Sequence, residues 1–77
     1  MFLSSTQDAV VLSAVANKSM VSDNMFHNCG GESYYAIKLD TENNEYFVFN
    51  NVTDNSNGET GIGGDALETS HLSNNFA

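Results

Sequence analysis

Two short runs near the middle of the chain are rich in aromatic and β-branched residues. They cover residues 34–39 and 46–52. Between them stand Asn43 and Asn44, which tolerate the positive φ angles of a tight turn. The pattern therefore predicts an antiparallel β-hairpin over residues 34–52.

Both faces of this predicted hairpin carry apolar side chains. If Asp40 lies opposite Glu45, Leu39 faces Tyr46 on one side of the ribbon. The other side carries three aromatic residues, Tyr34, Phe47 and Phe49. A two-stranded ribbon is only marginally stable in water, so each face needs a cover from the same chain or from a partner.

Residues 5–20 have the pattern of an amphipathic helix. Ser5 is a candidate N-cap, and Asp8 lies three residues later in capping-box position. The β-branched content of residues 9–12 leaves a strand open as the alternative. The length of the segment and the cap favour the helix.

The remaining segments contain weaker signals. We expect residues 21–33 to be irregular. We expect residues 53–65 to form a flexible acidic loop rich in Gly and Asn. Residues 65–76 read as a short final helix. No internal repeat is evident. We therefore expect one α+β domain, residues 1–77, with the N-terminal helix packed on a small antiparallel sheet built around the hairpin.

The charge balance restricts the partners that the chain can bind directly. Ten acidic residues face two basic ones, Lys18 and Lys38, which gives a net charge of −8. So few cations argue against direct binding to nucleic acid or to anionic membranes. A protein with a basic surface is the expected partner. Solubility alone is the other interpretation of the charge.

The predicted partner-binding surface combines aromatic rings with carboxylates, as protein interfaces do. Its members are Tyr34, Phe47, Phe49, Asp40, Glu42, Glu45, Asp54 and Glu59. The alternative is that the three rings belong to an ordinary core.

The single cysteine suggests two further sites, neither of which has a specific motif. Cys29 with His71 as its base would form a nucleophilic pair. His27, Cys29 and His71 would form a zinc site, but their spacing matches no standard zinc motif. The glycines of residues 58–64 fit neither a calcium loop nor a phosphate loop. We therefore assign no catalytic residue, metal or cofactor. A lone cysteine and the lack of a recognisable signal peptide suggest a cytoplasmic protein.

The order of segments around the predicted hairpin resembles a known family. Gly30-Gly31 is followed by Tyr35-Ala36-Ile37-Lys38-Leu39, an acidic turn, Tyr46-Phe47-Val48-Phe49, and a late segment with Leu72 and Phe76. This order resembles the central hairpin of the SUKH superfamily over less than half of the chain. The resemblance implies a bacterial immunity protein that binds and neutralises a toxin.

Three hypotheses about function follow. The first is a non-enzymatic, stoichiometric inhibitor or adaptor that occupies a basic, nucleic-acid-binding surface of its partner. This hypothesis includes DNA mimics and anti-defence proteins of phages and mobile elements. The second is a homo-oligomeric structural or assembly subunit, a class that includes a homodimer. The third is a small cysteine-dependent enzyme.

Overall fold

Short strands that pair in parallel organise the chain. The structure is a computed structural model and describes residues 2–5, 8–29, 34–53 and 61–76. Within these ranges it contains eight strands: β1 (Phe2–Ser5), β2 (Val10–Leu12), β3 (Met20–Ser22), β4 (Phe26–Cys29), β5 (Ile37–Leu39), β6 (Phe47–Phe49), β7 (Ile62–Gly63) and β8 (His71–Ser73). One turn of 3₁₀ helix covers Ala14–Ala16.

The strands form three parallel sheets. The first sheet is β1–β4, the second is β2–β5–β7 and the third is β3–β6–β8. Val10 pairs with Ile37, an offset of 27 residues, and Phe47 pairs with His71, an offset of 24. The chain therefore winds in stacked coils, formed by the described parts of residues 2–25, 26–52 and 53–76. We call these the first, second and third coils. Stacked parallel coils of this length make a β-helix.

The predicted hairpin is wrong, although both of its strands exist. β5 lies in the second sheet and β6 in the third, and each pairs in parallel with strands of other coils. Asn43 has the expected positive φ of 74°, but Thr41 also has one, of 70°. The resulting turn directs β6 into a different sheet instead of back along β5. A run rich in β-forming residues does not specify its partner, and parallel neighbours satisfy it equally well.

The two predicted helices are also wrong. Residues 5–20 contain β2, the 3₁₀ turn and the start of β3, so the strand alternative for residues 9–12 was the correct one. Asp8 accepts a hydrogen bond from the Tyr35 N–H at 2.6 Å instead of capping a helix. Residues 65–76 form a turn followed by β8. The α+β class is thus replaced by coils of strands. No helix in the described ranges is long and apolar enough to cross a membrane.

Two other segments differ from the simple interpretation of the sequence. Residues 21–33, expected to be irregular, contain the end of β3 and all of β4. In the segment 53–65, Ile62–Gly63 form a strand, while residues 54–60 lie outside the described residues.

The coils constitute an internal repeat that the sequence analysis missed. Equivalent positions in successive coils carry similar residues, as in Val10, Ile37 and Ile62, in Val21, Val48 and Leu72, and in Asn24, Asn51 and Asn75. The repeat is short and its spacing changes from 27 to 24 residues, which obscures it in the sequence.

The second coil supplies most of the core because coils cover it on both sides. Its fully buried apolar side chains include Phe26, Ile37, Leu39, Tyr46 and Val48. In the third coil, by contrast, the inward-facing Leu72 is 38% exposed. Gly64 has a φ of 124°, and a Cβ there would collide with the Leu39 carbonyl oxygen. Only glycine fits this position.

A ladder of asparagines connects the three coils at the end of the third sheet. The Asn51 side chain accepts a hydrogen bond from the Asn24 N–H at 3.1 Å and donates one to the Val21 carbonyl at 3.0 Å. One coil later, the Asn75 side chain accepts from the Asn51 N–H and donates to the Val48 carbonyl. Asn51 and Asn75 thus each satisfy backbone groups of the coil before them.

Candidate protein-binding surface

The outer face of the third sheet brings together side chains from all three coils. Because side chains alternate along a strand, the inward positions of Val21, Val48 and Leu72 place their neighbours outward. The register then aligns two outward rows. One row is Met20, Phe47 and His71, and the other is Ser22, Phe49 and Ser73. We call the first row, together with Phe49, the aromatic row.

The aromatic row is ordered by packing and remains accessible. The rings of Phe47 and His71 stack with centroids 5.0 Å apart and an interplanar angle of 13°. Met20 is 60% exposed, and Phe47 and Phe49 are each partly buried. The rings are therefore held in place on the sheet and still present area to a partner.

A charged cluster borders one end of this row. Glu45 forms a salt bridge with the Lys18 ammonium group, and its other carboxylate oxygen lies 3.0 Å from Nε2 of His71. The hydrogen bond from Lys18, followed by that from His71, lowers the pKa of the Glu45 carboxyl below its ordinary value of 4.5. These three side chains come from three different coils, so the cluster exists only when the coils are stacked.

Carboxylates are concentrated on the corner that connects the second and third sheets. This corner consists of residues 13–19, 40–46 and 64–70 of successive coils. Seven acidic residues lie in the described ranges, and five of them lie here: Asp40, Glu42, Glu45, Asp65 and Glu68. We call this region the acidic corner. Hydrogen bonds between its segments, such as Glu45 N–H to Asn17 Oδ1 at 2.8 Å, keep them stacked.

The structure gathers some of the predicted site residues and separates others. Phe47 and Phe49 lie on the outer face of the third sheet, and Glu45 borders it. Tyr34 lies just before β5 of the second sheet and is 38% exposed. Asp40 and Glu42 lie on the acidic corner, where Asp40 is 3.7 Å from the Lys38 ammonium group. Asp54 and Glu59 lie outside the described residues.

Three members of this surface were not predicted from the sequence: Lys18, Met20 and His71. They fall in segments that were predicted to be helices. The 27-residue spacing from Met20 to Phe47, with asparagines repeated at the same spacing in Asn24 and Asn51, was the signal that could have found them.

The residues of the cysteine and zinc hypotheses have other contacts. The Cys29 thiol is buried and lies 3.5 Å from the His27 carbonyl oxygen, on β4 of the first sheet. His71 lies on the third sheet against Phe47 and Glu45. Across the described residues, no group of three or more His, Cys, Asp or Glu side chains could hold a metal ion.

Comparisons with known proteins do not assign a family. No family model matches the chain, and no curated protein or solved structure matches it. The resemblance to the SUKH hairpin depends on antiparallel pairing of residues 34–39 with 46–52, which the structure replaces with parallel coils.

Proposed function

We propose that this chain is a protein-binding module that acts as a stoichiometric inhibitor or adaptor. Its contact surface is the aromatic row together with the adjoining acidic corner. The observation that carries the proposal is the Phe47–His71 ring stack on an outer sheet face, directly beside the Glu45 carboxylate.

The composition of this surface matches that of protein interfaces. Aromatic residues and methionine are enriched at the centres of interfaces, and charged residues occupy the rim. The stacked ring of Phe47 and the partly buried Phe49 have already lost much of their rotamer freedom. Binding through them therefore costs less conformational entropy than binding through mobile side chains.

The charge of the molecule indicates a partner with a basic surface. The net charge is −8, and both lysines lie next to carboxylates, Lys18 beside Glu45 and Lys38 beside Asp40. Carboxylates on the acidic corner would accelerate the encounter with a basic protein and orient it toward the aromatic row. A protein surface that normally holds nucleic acid has this chemistry.

The test is to capture the partner from an extract of the source organism and then measure its affinity with purified components. We expect Phe47→Ala to weaken binding at least about tenfold at every salt concentration, because an aromatic anchor is lost. Reversing the charges of Glu42 and Glu45 to lysine should weaken binding at low salt and flatten its salt dependence.

A matched control is Val11→Ala. Val11 is 50% exposed but lies on the second sheet, so its truncation should leave the affinity unchanged. Equal affinities of the wild type and Phe47→Ala would refute the role of the aromatic row. An unchanged salt dependence after charge reversal would refute the role of the acidic corner.

A further inference from the structure

The third coil ends in an open edge above an apolar interior. β8 pairs with β6, and no other described strand lies beyond it. An open cleft of about 510 Å³ at this end is lined by Ile62, Leu67, Leu72 and Asn75, among others. Unpaired strand edges next to exposed apolar groups are sites for pairing with another strand.

The first coil presents a second edge with the same register. Among the described strands, β2 pairs only with β5, and β3 only with β6. Val10 and Leu12 point inward at this end and are only partly buried. Among the described residues, no coil thus covers the outer side of the third coil or of the first.

The asparagine ladder has complementary open ends. Asn51 and Asn75 each bond to the coil before them, but the Asn24 side-chain amide donates to the Ser22 carbonyl of its own coil at 2.9 Å. In the third coil, the Asn75 N–H and the Leu72 carbonyl correspond to the Asn24 N–H and the Val21 carbonyl, which bond to Asn51. If the third coil preceded the first, these two groups could bond to the Asn24 side chain in the same way.

At the acidic corner, the charges of the two ends are also complementary. The third-coil segment of the acidic corner, residues 64–70, carries Asp65 and Glu68. The first-coil segment, residues 13–19, carries Lys18 and no carboxylate. Stacking one end on the other brings a cation toward carboxylates at this corner.

We propose that two copies of the chain stack head to tail, so that the first coil of one copy continues the third coil of the other. In this arrangement β3 of one copy pairs with β8 of the other, and Asn24 extends the ladder from Asn75. One copy contributes its third coil to the contact and the other contributes its first coil, so the two surfaces in contact are different. Such a heterologous contact leaves an open end on each side, so association continues beyond the dimer.

Proline substitutions can block each open edge separately. The Asn50 N–H donates to the Ser73 carbonyl and the His71 N–H to the Tyr46 carbonyl, so the Leu72 backbone between them faces the open edge. The Val11 backbone also faces an open edge, because the flanking Val10 N–H and Leu12 carbonyl both bond to the second coil. Proline is tolerated on a strand where the lost N–H faces outward.

The experiment is sedimentation velocity on the 77-residue chain from tens to hundreds of micromolar. The wild type should reach a weight-average mass of more than twice 8.3 kDa. Leu72→Pro and Val11→Pro should each remain monomeric when alone. Their equimolar mixture should form a dimer that does not grow, because one intact end of each type is present. Lys38→Met, on the outer face of the second coil, should associate like the wild type.

A second pair of substitutions covers the possibility that a proline variant does not fold, which circular dichroism would detect. Met25 and Phe76 are exposed and lie in one column of bridges with Val52. The stack would place Met25 of one copy beside Phe76 of the other. Met25→Lys and Phe76→Lys should therefore each shift association to higher concentration by at least about tenfold, given the cost of burying a charge.

Three results would overturn the proposal. One is a wild-type chain that stays monomeric at hundreds of micromolar, because the open end would then need a different occupant. The second is a closed dimer whose mass does not rise with concentration. The third is association that folded edge variants leave unchanged.

Discussion

At the residue scale, Asn51 is a polar side chain that connects all three coils. It is fully buried and hydrogen-bonds to both neighbouring coils through Asn24, Val21 and Asn75. Its truncation leaves the buried Val21 carbonyl and the partly buried Asn24 N–H without these partners. Water cannot replace the buried bond without opening the stack.

We therefore predict that Asn51→Ala lowers the free energy of unfolding by about 2–4 kcal/mol, measured by urea denaturation. Asn17→Ala is the matched control. The Asn17 side chain also accepts a backbone hydrogen bond, from the Glu45 N–H, but at an exposed site where water can substitute. Its loss should cost less than about 1 kcal/mol. Equal costs for the two variants would contradict the ladder's role.

The titration of Glu45 is the second prediction at this scale. Its pKa is lowered chiefly by the hydrogen bond from Lys18. Because folding lowers this pKa, the cluster favours the folded state above pH 4.5, and this contribution disappears as the pH falls through the lowered value. Lys18→Met should raise the pKa of Glu45 toward 4.5 in a carboxyl NMR titration.

Lys38→Met is the control for that titration, since Lys38 lies beside Asp40 on another sheet. It should leave the Glu45 titration unchanged. A Glu45 pKa that does not move when Lys18 is replaced would show that the two side chains are not paired, and the charged end of the aromatic row would lose its support.

At the element scale, the sequence predicted where two strands lie but not what they pair with. Aromatic and β-branched runs located β5 and β6 correctly within residues 34–39 and 46–52. Which strands pair depends on segments far apart in the chain. The Asn-rich turn between the two runs is compatible with a hairpin and with a corner between sheets. Local signals alone therefore favoured the shorter connection.

The helix predictions failed for a related physical reason. Residues 5–20 contain alanines and β-branched residues whose intrinsic preferences nearly balance. Pairing with the second coil, which buries Val21 and partly buries Val10 and Leu12, decides the outcome in favour of strands. The same error hid Met20 and His71, so only Phe47, Phe49 and Glu45 of the surface around the third sheet were found from the sequence.

At the scale of the whole molecule, stacking converts weak local patterns into one surface. The aromatic row contains Met20 from the first coil, Phe47 and Phe49 from the second, and His71 from the third. The carboxylates of the acidic corner lie in the second and third coils. Neither exists on an isolated segment. The proposed partner surface uses the outer face of the third sheet, and the proposed head-to-tail stacking uses the open ends of the coils. Both proposals also use the acidic corner.

The most direct measurement is a set of nuclear Overhauser contacts in the isotope-labelled chain, at a concentration where it is monomeric. Parallel coils place the Phe47 ring beside both Met20 and His71, and we expect contacts to both residues. Backbone contacts that pair residues 34–39 with 46–52 in antiparallel register, with none from the Phe47 ring to Met20 or His71, would contradict the stacked coils and remove the proposed binding surface.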